Sequence, residues 1–133
     1  MAAAESYPED LRYHREHDWA RVDGDTAVVG ITWYAQDALG ELVHFEPPEE
    51  GADVAKGSSY GEVESVKAVS DLFAPVSGEV VEVNGELPQK PETVNQDPYG
   101  KGWMIVVKPS NKGEWDQLLT AQQYEEFLAQ GGH

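Results

Sequence analysis

The apolar and polar positions of the chain fall into many short runs, most with the two-residue period of a strand. From Tyr13 to Gly30 the pattern reads strand, turn, strand: Trp19-Ala20-Arg21-Val22, then Asp23-Gly24-Asp25, then Thr26-Ala27-Val28-Val29. An Asp-Gly pair between two such runs signals a hairpin, with a connection of two or three residues. Thr32 has the chemistry of a helix N-cap and Gly40 that of the residue past a C-terminus, so Trp33 to Leu39 is predicted as a helix of about two turns. Leu42-Val43-His44-Phe45 is a short strand stopped by Pro47-Pro48. Gly and Val dominate from Gly51 to Asn84, with turns at Glu50-Gly51, Lys56-Gly57, around Lys67 and from Pro75 to Gly78. Asn84 to Gly102 carries Pro88, Pro91 and Pro98 and reads as loop with short helical turns at most, and Trp103 to Lys108 as a last strand.

The period changes after this point. Ser110 or Asn111 can cap a short helix carrying Trp115, Leu118 and Leu119. Thr120-Ala121-Gln122-Gln123 has the form of a capping box, and Tyr124, Phe127 and Leu128 make the apolar stripe of a second helix ending at Gly131. Residues 1–10 are small and polar and are expected to fray. Residues 11–133 then form one domain, mainly β, a small sandwich or barrel of short antiparallel strands with short peripheral and C-terminal helices.

Composition narrows the function. The 133 residues are enough for a real core. Asp and Glu number 25 against nine Lys and Arg, a net charge of −16. Such a field repels phosphate backbones, which argues against nucleic acid. The surface acids could guide docking onto basic patches of partners or serve solubility. Cysteine is absent, so there are no disulfides, no thiolate nucleophile and no Cys-based zinc site. No run approaches the length of a membrane span. The opening Met1-Ala2-Ala3-Ala4-Glu5 has neither a basic leader nor an Arg-rich presequence. The expectation is therefore a soluble intracellular protein, unless a presequence has been removed.

The chemistry concentrates between Tyr60 and Val81. Lys67 is the only basic residue between Lys56 and Lys90, and it lies midway between two strand-like runs, Ser59 to Val66 and Ser70 to Ala74. A lysine at a hairpin tip holds its amine away from the sheet, where a modifying enzyme can reach it. Taken alone, such a lysine reads equally as an ordinary solvated surface residue.

The run Glu64-Ser65-Val66-Lys67-Ala68-Val69-Ser70-Asp71, with Gly51 before it and Ala74-Pro75-Val76-Ser77-Gly78-Glu79-Val80 after it, resembles a lipoyl-lysine attachment site. The family it resembles most is the H proteins of the glycine cleavage system. The likeness extends through His17-Asp18-Trp19, Gly30-Ile31-Thr32, Ala35-Gln36, Leu39-Gly40, Val94 to Gly100, Gly102-Trp103-Met104 and Tyr124 to Leu128, in order. Biotin-accepting domains usually place Met on both sides of the lysine, where this chain has Val66 and Ala68. The lipoyl domains of 2-oxo acid dehydrogenases typically have Asp before the lysine, where this chain has Val66.

The resemblance implies a barrel-sandwich hybrid fold and lipoic acid joined by an amide to Lys67. It implies a carrier that is a substrate of other enzymes and not itself an enzyme. Glycine decarboxylase would load an aminomethyl group, an aminomethyltransferase would remove it, and dihydrolipoyl dehydrogenase would reoxidise the arm. Lipoate-attaching enzymes would be further partners, recognising Gly51, Glu64, Val66 and Ala68. On the residues alone, Glu64 is a solvated strand charge and Gly51 a turn glycine. The arm would reach roughly 14 Å from the backbone. The family's arm cleft maps to Glu16, Asp18, Trp33, Tyr34 and Asp71. Family members commonly have Glu at the position of Asp18 and Asp at that of Trp33. Lipoate-binding proteins of a sulfur-oxidising, heterodisulfide-reductase-like pathway share the attachment pattern and form the alternative reading. His14 and His17 suggest no metal site, since strand alternation would send them to opposite faces.

Overall fold

The computed structural model describes residues 3–131. Its strands are β1 (Arg12–Tyr13), β2 (Asp18–Asp23), β3 (Thr26–Ile31), β4 (Leu42–Glu46), β5 (Asp53–Val54), β6 (Ser59–Ser65), β7 (Val69–Phe73), β8 (Gly78–Val83) and β9 (Ile105–Pro109). They form two antiparallel sheets, ordered β1-β2-β3-β9-β8-β5 and β4-β6-β7. The mainly β fold with short helices is as expected, but both sheets are open and no barrel closes among the described residues. Strand alternation turns Val29, Ile31, Val63, Leu72, Val80, Ile105 and Val107 inward, and these buried residues form the main core.

Local chemistry explains most element ends. Asp23 pairs with Thr26, so the first hairpin has a two-residue loop, with Gly24 at φ 64°. Helix α1 (Trp33–Leu39) starts where Thr32 Oγ1 accepts the Ala35 N–H, and stops where Gly40, at φ 84°, donates its N–H to the Gln36 carbonyl. A single helical turn, α2 (Thr93–Gln96), interrupts the proline-rich loop. A 3-10 helix (Lys112–Gln117) is capped by Asn111, which settles the choice between Ser110 and Asn111. Helix α3 (Ala121–Ala129) carries the predicted capping box from Thr120 and Gln123.

One expectation is corrected. The last strand begins at Ile105, not Trp103, because the Asn84 side-chain amide donates to the Lys101 and Trp103 carbonyls and holds them out of the ladder. At its described positions the N-terminal segment also makes contacts with the fold. Trp33 Nε1 donates to the Ala3 carbonyl at 2.7 Å, and Tyr99 donates its hydroxyl proton to the Ser6 carbonyl at 2.6 Å. Tyr7 packs edge-on against Tyr13 and Tyr124. Aromatic burial supplies the anchoring that the polar composition lacks. Residues 1 and 2 lie outside the described positions.

Candidate functional site

Lys67 is exposed in the three-residue turn between β6 and β7. The turn is held by Ser65, whose N–H donates to the Ala68 carbonyl at 2.7 Å. Ser65 Oγ accepts the N–H groups of Lys67 at 3.2 Å and Ala68 at 3.0 Å. Val66 donates its N–H to the Glu41 carbonyl at 3.2 Å, which pins the turn to the chain just after α1. The lysine therefore has a fixed base and an exposed side chain. Val66 and Val69 beside it are 68% and 59% exposed, an apolar rim that the fold itself does not need. Ser65 is a site residue that sequence reasoning passed over. Its signal was available, since a serine two residues before a turn amide commonly caps it.

From Lys67 two elements run toward a buried carboxylate. A Cβ built on Gly40 would lie 3.5 Å from Lys67 Cε, so the lysine passes the C-terminal end of α1. The N-terminal end of that helix, with Tyr34, is about 10 Å away at 1.5 Å per residue. Along β7, alternation puts Val69, Asp71 and Phe73 on one face, and Asp71 is exposed. The Phe73 backbone reaches Asp18.

Asp18 is fully buried, and its Oδ2 has no hydrogen-bond partner. Burial pushes its carboxyl well above the usual carboxylate range, and the nearby charge of Glu16 adds to this. The Phe73 backbone and the Tyr60 hydroxyl pull the other way. The Tyr60 hydroxyl lies between the Asp18 carboxyl and Met104 Sδ, 3.4 Å from the sulfur, and Asp18 Oδ2 is left without a partner.

The adjoining residue, His17, has φ 75°, the left-handed region that non-glycine residues enter only at a cost of about 1–3 kcal/mol. Its carbonyl accepts the Thr32 N–H at 3.0 Å, and its ring lies 4.7 Å from that of Tyr34. His17 Nδ1 and the Tyr124 hydroxyl are 2.7 Å apart, and Tyr124 meets Thr32 Oγ1 at 2.9 Å. One phenol thus ties α3 to the N-cap of α1 and to the turn before Asp18. The strand reading of His14 to His17 fails here, because residues 14–17 form a turn.

Comparison with known proteins decides the family. The glycine cleavage H-protein family model matches residues 11–131. The chain belongs to this family. The Carboxydothermus hydrogenoformans glycine cleavage system H protein is 54% identical over 94% of this chain and 96% of its own length. That of Bacillus subtilis is 54% identical over 92% and 96%. The crystal structure of a glycine cleavage system H protein from Mycobacterium marinum superposes with a TM-score of 0.82 at 45% identity, covering 95% of this chain and 99% of that one. These relatives carry the glycine cleavage reading and not the sulfur-oxidising alternative.

Against the family pattern, the residues separate into groups. Val66, Lys67 and Ala68 share the exposed tip, and half-buried Glu64 sits on β6 opposite Val69. Gly51 lies apart in a turn at φ 91°, its N–H donating to the Val80 carbonyl of the other sheet. Asp18, Glu16 and Tyr34 gather at the far end of α1 from Lys67, and Asp71 stands between on β7. Trp33 turns to the N-terminal segment, with its ring N–H on Ala3 and its backbone N–H on the Tyr99 hydroxyl. Its bulk serves that clamp. Among the described residues no group of three or more His, Cys, Asp or Glu is placed to hold a metal.

Two consequences are measurable. In the unfolded chain Asp18 releases its proton near pH 4, whereas the folded chain retains it to higher pH. Folding then takes up a proton between these values, so this group's contribution to stability declines as pH rises from about 4 through the folded pKa. Asp18→Asn removes that decline. The variant should exceed the parent by about 1–3 kcal/mol at pH 7, with the gap closing toward pH 4. Urea unfolding across this range tests it, and parallel curves for the two proteins would refute the assignment. Tyr124→Phe should cost about 1–3 kcal/mol in urea unfolding, because the hydrogen bonds to His17 and buried Thr32 lose their shared partner.

Proposed function

We propose that this chain is the lipoyl-lysine carrier of the glycine cleavage system, taking an aminomethyl group from glycine decarboxylase to an aminomethyltransferase, with reoxidation by dihydrolipoyl dehydrogenase. The observation that carries the reading is the near full-length family match together with Lys67 on a rigid, exposed hairpin tip. The carrier is acted upon and is not itself an enzyme. Lipoate joined through an amide to Lys67 Nζ supplies the dithiol that bears the cargo. The residues present fit that group. The primary amine is exposed, its base is fixed by Ser65, and α1 and β7 lead from it over about 10–13 Å, close to the roughly 14 Å reach of such an arm.

Each end of that path has a role. Val66 and Ala68, with Glu64 behind them, form the surface that a lipoate-attaching enzyme meets first. Gly51 would act at one remove, through the opposite sheet. At the other end Asp18, Asp71 and Glu16 supply negative charge suited to a cationic amine. A cation beside Asp18 Oδ2 favours the carboxylate, which reverses the effect of burial. Tyr34 and His17 present ring faces there and limit the access of water. The bacterial relatives support a bacterial cytoplasmic setting for this work. No helix among the described residues is long and apolar enough to cross a membrane.

The test is intact-mass analysis and peptide mapping after treatment with a lipoate-protein ligase, ATP and lipoate. One adduct, on Lys67, is the expected result. No adduct on folded protein would remove the premise.

A further inference from the structure

Away from the arm path, a cavity of about 100 Å³ opens where the turn after β1, the turn after β5 and the 3-10 helix meet. His14, Arg15, Lys56 and Gln117 line it, over the buried Tyr13 and Leu118. In a chain of net charge −16 this concentration of cationic groups stands out. No carboxylate lines the cavity. Among the described residues neither Arg15 nor Lys56 is in an ion pair.

Several acceptors around the cavity are already engaged. Lys56 Nζ donates to Gln117 Oε1 at 2.7 Å, which occupies the Gln117 carbonyl and leaves its amide protons. His14 Nδ1 accepts the Glu16 N–H at 3.3 Å, so the ring proton resides on Nε2. The backbones of Tyr13 and Leu119 bond each other, at 2.8 Å in both directions, and the His14 carbonyl accepts the His17 N–H at 2.9 Å. Arg15 lies over the Phe127 ring, 5.2 Å from its centroid, at the border with a neighbouring cavity lined by Phe127 and Glu126.

We propose that this cavity is a binding site for a phosphate dianion, either inorganic phosphate or the terminal group of a small phosphomonoester. Two cations, Arg15 and Lys56, match two negative charges, and charge-assisted donors suit tetrahedral oxygens. The volume admits a phosphate group, a few times the size of a water molecule, and excludes a nucleoside. His14 completes the set as a neutral donor. Burial lowers its pKa, the charges of Lys56 and Arg15 act the same way, and only Glu16 opposes them. A bound dianion would bridge three segments that lie far apart in sequence. This goes beyond the carrier role and does not depend on Lys67.

The test titrates the full chain, in a buffer free of phosphate, with inorganic phosphate and separately with glycerol 3-phosphate, followed by calorimetry and by the His14 ring resonances. Saturable binding with a Kd of about 1 mM is expected. It should be accompanied by a His14 shift and a Tm rise of about 5 °C at ten times Kd. Arg15→Ala and Lys56→Ala should each weaken binding about tenfold while far-ultraviolet circular dichroism stays unchanged. Glycerol 3-phosphate binding as tightly as phosphate would assign the monoester, and much weaker binding would assign the free ion; both support the site. No saturation by about 20 mM, or equal binding by the Arg15→Ala/Lys56→Ala double variant, would overturn it. Equal binding of acetate would also overturn it, since that reports a diffuse cationic surface.

Discussion

Replacing Lys67 by Arg is expected to bring lipoate attachment, and glycine–carbon dioxide exchange with glycine decarboxylase, down to background. Amide formation needs a primary amine that can shed its proton and attack an activated acyl group. A guanidinium stays protonated at every working pH and cannot serve. Stability should hardly move, because Lys67 is exposed and its turn is closed by Ser65 and the Ala68 carbonyl, which the substitution leaves in place. A change within about 0.5 kcal/mol is the expectation for a surface position of this kind. Loss of function with an unchanged unfolding midpoint separates an attachment residue from a structural one. Exchange activity surviving in the Arg variant would sink the carrier assignment.

Gly78→Ala should give the largest loss of stability. Gly78 opens β8 and pairs with Pro109 of β9 on one side and Val54 of β5 on the other. An alanine Cβ there would collide with the Lys108 carbonyl oxygen, and would lie 2.7 Å from Val107 Cγ1. The obstacle is mostly backbone, so relief requires β8 to move off β9 in the middle of the larger sheet. A loss of at least about 3 kcal/mol, and of about 10 °C or more in Tm, follows from the upper range of overpacking. Gly85→Ala is the matched control. Nothing lies within 4 Å of its Cβ position, and the change there should be close to neutral. Equal midpoints for the two variants would show that β8 and β9 are less tightly joined than this geometry requires.

The features readable along the chain share one property, which is that each is made by residues close together in sequence. Thr32 and Gly40 bound α1, Thr120 and Gln123 open α3, and Asp23-Gly24 turns the first hairpin, all where the residue types indicated. The physics is local, a side chain satisfying a nearby amide or a glycine accepting a positive φ. The exposed tip carrying Lys67 belongs to the same class, as do the lack of cysteine chemistry and the acidic surface.

Everything that depends on which distant segments meet lay beyond that reading. Trp103 looked like strand until Asn84 took its carbonyl. The hydrogen bonds of Trp33 and Tyr99 to the polar leader join residues 30 and 93 apart in sequence. Asp18 was expected as a cleft acid, and packing between Tyr60 and β7 buries it and pushes its carboxyl above the usual carboxylate range. His17 gives no sign in the sequence of its left-handed backbone, which exists because Thr32 and Tyr124 hold it from elements up to 107 residues away. Arg15 and Lys56 became one cationic cavity for the same reason. Hydrophobic burial drives such meetings and is nearly blind to sequence separation, so the chain by itself specified the elements and the exposed lysine tip, while the packed sheets determined the buried carboxyl, the strained turn and the cavity.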